Sequence, residues 1–383
     1  MAIDELLSPE IQKVLFENQA VNIQDLLLKK SPFPEVSMQD IVQQIKGLQV
    51  AQRKFPFLLQ DGIVFPPQLN LEQASSEKTA HYKSNILKGK KLIDLTCGFG
   101  IDAYYLSKNF EEVTLVEQNA ELLDIVAHNW NILNKKATFI NRKLEDFLNE
   151  NQSRFDVLYL DPARRDQHQN KVFLLEELSP NLLEIQNQLL EISEEIVIKL
   201  SPLIDLKYLI TVLHRIAKIE IIAVKNDVKE VLVFIQSKKE TEKILCRCVN
   251  LETEEPPFEF YFGEGESEII YSEPEEYLYI PNNAVLKSGA FNEVSRKFRL
   301  KKLHPNTHLY TSDIELTNFP GRQLMVEIIE PKSLKKGERY NIISKNHPLK
   351  PEEIKKKYKL KDGGDQYLVF TQTKKGKITL KSK

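Results

Sequence analysis

The chain has 383 residues, 42% of them hydrophobic and 28% charged, a balance that describes a globular protein and excludes a disordered one. No apolar run approaches the roughly 20 residues needed to span a bilayer, three cysteines cannot build a disulfide framework, and the start MAIDELLSPE lacks the basic flank and apolar stretch of a signal peptide; a cytoplasmic location is therefore expected. The net charge of −2 hides a split, because residues 284–383 carry 23 Lys+Arg against 10 Asp+Glu while the rest is acidic, which suits a C-terminal part that meets a polyanion.

Residues 1–70 read as a helical N-terminal domain. Leu6, Leu7, Ile11, Val14 and Leu15 recur at helical spacing, as do Ile41, Ile45 and Leu48. Prolines 32, 34, 56, 66 and 67 break the region into short pieces. Residues 71–240 alternate strand and helix signals. Strands are expected at Lys91–Leu95, Glu112–Glu117, Thr138–Asn141, Asp156–Leu160, Glu195–Leu200, Lys218–Val224 and Glu230–Gln236. Such alternation implies a parallel sheet with helices on both faces. The last two strands, joined by Lys225–Lys229, read as a hairpin that ends the sheet. Residues 240–280 hold twelve glutamates and no aspartate, and form a boundary or a small acidic module. There Tyr261, Phe262, Tyr271, Tyr277 and Tyr279 interleave with acids and read as a β core, not a stacking platform for nucleic acid. In residues 281–383 short strand patterns (Leu324–Ile329, Tyr367–Thr371) alternate with basic helical stretches, and the Lys-rich tail after Thr373 is expected to be partly disordered.

The segment Lys91-Leu92-Ile93-Asp94-Leu95-Thr96-Cys97-Gly98-Phe99-Gly100-Ile101-Asp102 carries the most information. A strand ends in an acid, turns through two glycines and enters a helix, a design that lets a nucleotide-type cofactor approach the backbone. Gly98-x-Gly100-x-x-Ala103 also fits a dinucleotide fingerprint, which alone is weak. Asp94, at the strand tip, favours S-adenosylmethionine over NAD, because a carboxylate there can take an ammonium that NAD lacks. Glu117, ending the next strand, can accept two ribose hydroxyls of either cofactor. The fourth strand runs into Asp161-Pro162-Ala163-Arg164-Arg165. The carboxyl ends of strands in open α/β sheets are where ligands bind, so Asp161 is expected to face the same crevice. Arg164 and Arg165 would suit a phosphate.

With IDLTCGFGIDA, EQNAE, DPARR and IKLSP in place, the chain resembles the class I S-adenosylmethionine-dependent methyltransferases, and more narrowly the bacterial family with a C-terminal THUMP-like domain. The segments Glu72–Ser76 with Thr79 and Tyr82-Lys83, Val224–Glu230, and Phe319-Pro320-Gly321-Arg322 fit that family as well. The resemblance implies a Rossmann-like seven-stranded sheet at 71–240 behind the helical 1–70, a small ferredoxin-like module at 241–310 and a basic THUMP-like domain at 311–383. It implies a cofactor site drawn from Asp94, Thr96, Cys97, Gly98, Phe99, Gly100, Asp102, Glu117, Gln118, Leu144, Glu145, Ser75 and Thr79. Asp161, Pro162 and Arg164 would stand at the methyl-transfer centre. Leu144 and Glu145 belong to the segment flanking the adenine, where Lys143 stands in place of the usual acid.

The expected reaction is methylation of RNA, at an amine nitrogen before pyrimidine C5. C5 chemistry needs a cysteine thiolate, and after the fifth strand the sequence reads Lys199-Leu200-Ser201-Pro202. Ala163 and Arg164 also stand where amine methyltransferases often place a second proline and an aromatic. Cys246 and Cys248 read as core residues, and the seven histidines show no metal spacing; His168, close after DPARR, is within sequence reach of the site. No metal and no membrane are expected. The alternatives are an RNA-binding protein whose methyltransferase fold no longer catalyses, methylation of a protein or small molecule, and an NAD-dependent oxidoreductase. The sequence leaves the oligomeric state open.

Overall fold

The computed structural model describes residues 3–27, 30–164, 174–238, 242–264 and 268–383. Arg165 and His168 lie outside the described residues, and of Arg164 only the backbone is described. The chain divides into two compact units, residues 1–217 with 232–242 and residues 218–231 with 243–383.

In the first unit, β1 (Lys91–Asp94), β2 (Glu112–Glu117) and β3 (Thr138–Asn141) pair in parallel in that order. On the other side of β1, β4 (Phe155–Leu160) pairs in parallel with β1. Between β4 and the next long strand lie β5 (Ala163–Arg164) and β6 (Leu178–Ser179), a two-residue antiparallel pair. β7 (Ser193–Leu200) then pairs in parallel with β4. The run Ile196–Leu200 is buried throughout, as befits a parallel strand covered on both faces. The direction of strand addition reverses between β1 and β4. That reversal opens a crevice at the carboxyl ends of these two strands.

Residues 1–70 lie in this same unit. Ser37 caps the helix Met38–Lys54 by accepting from the amide of Asp40, and Ile41, Ile45 and Ala51 form its buried face. Two buried amides grip the segment that follows. Gln44 donates to the carbonyl of Phe65 at 2.9 Å and accepts from its amide at 2.8 Å. Asn129 does the same for Val64 at 2.8 and 2.9 Å. Phe55 and Phe65 then pack on Phe99, with ring centroids 5.9 and 6.4 Å away. The N-terminal helices thereby back the glycine loop.

In the second unit, β8 (Ile216–Val224) turns through Lys225 and Asn226, both at positive φ, into β9 (Asp227–Gln236). Two such residues suit the twist of a tight hairpin. The first residues of β8 and the last of β9 count with the first unit. The hairpin does not end the sheet as the sequence reading expected. β10 (Leu245–Leu251) pairs in parallel with β8, and β11 (Phe258–Tyr261) pairs antiparallel with β10. The physical reason is that Ile219–Ala223 of β8 are fully buried; an edge of such a strand left bare would invite aggregation.

The remaining strands are β12 (Tyr277–Pro281), β13 (Lys301–His304), β14 (Thr307–Ser312), β15 (Gly321–Ile329), β16 (Arg339–Ser344), β17 (Lys361–Thr373) and β18 (Gly376–Ser382). They form one sheet in the order β13-β14-β12-β15-β18-β17-β16. The tail expected to be partly disordered is β18. It pairs antiparallel with β17 and buries Leu380 completely. Of the aromatics assigned to a core, Tyr279 is fully buried, whereas Tyr261 is 39% exposed on β11. Cys246 and Cys248 are buried and free. Among the described residues no group of His, Cys, Asp or Glu is arranged to hold a metal ion, and no helix is long and apolar enough to cross a membrane.

Candidate active site

The crevice between the carboxyl ends of β1 and β4 is a cleft of about 310 Å³. Its floor is the turn from β1 into the helix Ile101–Leu106. The amides of Leu95 and Cys97 bond to the carbonyls of Tyr159 and Val116, which ties the turn to β4 and β2. Gly98 and Gly100 have φ of 54° and 73°. At Gly100 a Cβ would also stand 2.9 Å from Val126 Cγ1, so neither conformation nor space admits a larger residue. Glu117, at the tip of β2, closes the turn from above. One carboxylate oxygen accepts from the amide of Gly98 at 3.0 Å and the other from Asn119 at 2.9 Å.

Asp94 is 1% exposed, and one of its oxygens accepts from the amide of Thr96 at 3.0 Å. Burial pushes its carboxyl up to about 8, opposed by the Thr96 amide and assisted by Asp102 and Asp161. A carboxylate so placed is stabilised by any cation that enters beside it. Burial, then Asp94 and Glu117, push the Cys97 thiol up, so it is a neutral thiol and not a nucleophile.

Behind the turn lies a buried polar cluster. Asp102 receives hydrogen bonds from Ser75 at 2.6 Å and Tyr159 at 2.8 Å, and its carboxylate lies 3.0 Å from Lys83 Nζ and 3.5 Å from Lys199 Nζ. Burial alone would raise Asp102, but the two lysines and the two hydroxyls outweigh it and hold the group well below the usual carboxylate range. Lys199 also donates to Ser75 at 2.8 Å and meets Asp161 Oδ2 at 2.5 Å. The amide of Asp161 donates to Thr96 Oγ1 at 2.6 Å, which joins the ends of β4 and β1 directly. Burial raises the Asp161 carboxyl, and Lys199 opposes the rise.

The cleft is lined by Asp94, Thr96, Cys97, Gly98, Phe99, Gly100 and Asp102 of the first loop. Glu117 and Gln118 reach it from β2, Leu144 and Glu145 from the next helix, and Ser75 and Asp161 from either side of the polar cluster. Thr79 is elsewhere. It is buried in the first turn of the helix Glu77–Ile86, bonded to its cap residue Ser76. Pro162 is buried and does not line the cleft. The sequence reading gave no role to Lys83, Tyr159 or Lys199. The signal for Lys199 was present: a lysine inside the apolar run Ile196–Leu200 needs a buried partner.

Three family models match parts of the chain: conserved hypothetical protein 95 over residues 76–199, a ferredoxin-like domain over 277–320, and a THUMP domain-like family over 327–381. The crystal structure of a suspected methyltransferase from Porphyromonas gingivalis W83 is 29% identical, with 99% of this chain and 97% of that one aligned and a TM-score of 0.87. An rRNA methylase from Streptococcus thermophilus is similar over 41% of this chain and 94% of its own, at 15% identity and a TM-score of 0.30. TrmK of M. capricolum, solved with S-adenosyl-homocysteine, is similar over 42% of this chain and 68% of its own, at 15% identity and a TM-score of 0.33. No curated protein matches by sequence.

Strand order, glycine turn and paired acids define a class I methyltransferase. More narrowly, the chain combines a class I methyltransferase fold with ferredoxin-like and THUMP-like domains toward the C-terminus, and it resembles the Porphyromonas gingivalis protein along nearly its whole length.

Proposed function

We propose that the cleft holds S-adenosylmethionine and that the chain methylates RNA at an amine nitrogen. The observation that carries this reading is the convergence of two carboxylates on one glycine turn: Asp94, buried and in need of a cation, and Glu117, pinned by two backbone amides. The donor set fits the cofactor. Asp94 would take the ammonium of its amino-acid part. Glu117 keeps lone pairs beyond its two backbone contacts for the ribose hydroxyls. Leu144 offers an apolar wall and Glu145 an acceptor for the adenine. The cofactor, when bound, supplies a methyl group on a cationic sulfur.

The chain's own contribution is alignment and exclusion of water. Asp161, at the end of β4, would accept a hydrogen bond from the acceptor nitrogen. Ala163 lines the cleft in the place where amine methyltransferases often carry a second proline. A neutral buried Cys97 does not support a thiolate route to pyrimidine C5. The RNA half of the reading is supported by the THUMP-like match and by the excess of basic residues over 284–383.

Calorimetry tests the first half, with S-adenosylmethionine titrated into the wild type and into Asp94→Ala. Binding by the wild type and a loss of at least tenfold in the variant are expected; equal affinity refutes the role of Asp94. For the second half, mass spectrometry of total RNA nucleosides from a deletion strain is expected to show one N-methylated nucleoside missing. An unchanged nucleoside profile removes RNA as the substrate.

A further inference from the structure

Of the groups assigned to the acceptor side, Asp161 is the one whose described side chain lines the cleft, and it does not stand alone. Its Oδ2 is taken by Lys199 Nζ at 2.5 Å, while its side chain remains one-third exposed where it lines the cleft. Lys199 is 9% exposed and reaches Asp161 from the neighbouring strand β7. Its ammonium is held from behind by Ser75 Oγ at 2.8 Å and Asp102 Oδ2 at 3.5 Å. Asp102 is in turn fixed by Lys83, which is wholly buried. This is an anchored charge, not a solvated surface pair.

We infer that Lys199 is a positioning residue: it keeps Asp161 an anion, with Oδ2 occupied and Oδ1 left to receive the N–H of the methyl acceptor. The inference rests on the methyltransferase reading and adds to it the device that decides what Asp161 can recognise. An ionised carboxylate only accepts hydrogen bonds, whereas a neutral carboxylic acid also donates one. Burial of Asp161, with Asp94 and Asp102 nearby, works toward the neutral form; Lys199, and Lys83 behind it, work against that. Tyr159, the other ionisable side chain of this cluster, donates to Asp102. The anion also has a use after transfer. A nitrogen that has gained a fourth bond must lose a proton; its N–H bond breaks, the electron pair stays on nitrogen, and the proton passes to Asp161 Oδ1 and then to solvent.

The test is carbon-13 NMR of the side-chain carboxyls of aspartate-labelled full-length protein without added cofactor, with the Asp161 signal assigned by its absence in Asp161→Asn. Asp161 is expected to titrate below neutral pH in the wild type. In Lys199→Met its midpoint is expected to rise by more than about one unit, and in Lys199→Arg to return toward the wild-type value. A purely structural Lys199 would leave the midpoint unmoved. A wild-type midpoint above neutral pH overturns the inference without any variant. So does an unshifted midpoint in folded Lys199→Met. S-adenosyl-homocysteine titrated into the same samples separates the two levels. If it binds while Asp161 fails to respond to Lys199, only the positioning role falls; if it does not bind the wild type, the cofactor reading falls whatever the NMR shows.

Discussion

Asp94 shows most directly how one buried group links stability to ligand binding. Its carboxyl titrates near 3.8 in an unfolded chain and near 8 in the folded one. Between those values the folded protein holds a proton that the unfolded chain has released, so this group's contribution to stability is present at low pH and is lost as pH rises through about 8. Asp94→Asn is therefore expected to lose less stability than the wild type as pH is raised from about 4 to about 8, as thermal melts without cofactor would show. The sign reverses for binding. A cation beside Asp94 favours the ionised form, so below about pH 8 binding releases a proton and weakens as pH falls. Titrations in two buffers of different ionisation enthalpy would measure that release; uptake of a proton would contradict it. Lys83 lies deeper. Lys83→Met leaves Asp102 with one lysine fewer in a buried site, and is expected to destabilise the fold by about 3–5 kcal/mol, read by chemical denaturation. Asp94 was legible because an acid at a strand tip before two glycines has a chemical meaning of its own. Lys83 was not, because its meaning lies in Asp102, a residue that only the fold brings to it; Lys199 could be read as a buried charge in need of a partner, but which partners it has, Asp102 and Asp161, only the fold decides.

At the level of elements, the parallel strands of the first unit were legible because each is a short apolar run bounded by turn residues. Their ends fall within a residue or two of the expected ones. The glycine turn was legible for a similar reason, and its sensitivity can be stated. Gly100→Ala places a Cβ against Val126 at φ of 73°, which is expected to destabilise by roughly 1–3 kcal/mol and to weaken cofactor binding together. Unchanged melting of that variant would mean the turn has other conformations open to it. β18 was not legible. Its residues Lys377 and Lys381, with Lys383 just after it, read as a solvated tail, and only pairing with β17 and β15 buries Thr379 and Leu380. The marker Phe319-Pro320-Gly321-Arg322 gains a physical reason from the structure. A Cβ on Gly321 would lie 2.2 Å from the carbonyl oxygen of Ile280, so the close approach of β15 to β12 requires glycine there. Arg322 then lies over the ring of Tyr367, 4.2 Å from its centroid.

For the whole molecule, the uneven charge makes a prediction about partners. If the basic C-terminal region meets RNA phosphates, affinity of the full chain for RNA should fall steeply with salt, each contact adding about −0.7 to −0.9 to the slope of log affinity against log salt. Filter binding over a range of salt concentrations measures it, and a flat response would exclude a phosphate-led interaction. Charge counting could suggest such a partner, but it could not locate the joint between the two small C-terminal domains.

That joint is a single strand. Gly321–Met325 of β15 pair with β12, and Val326–Ile329 of the same strand pair with β18. The ferredoxin-like match stops at residue 320 and the THUMP-like match starts at 327, so the border falls inside a continuous ribbon and not in a linker. A hinge needs slack, and a hydrogen-bonded ribbon has none. The two halves therefore act as a splint, and whatever one of them grips is held at a set distance and angle from the other.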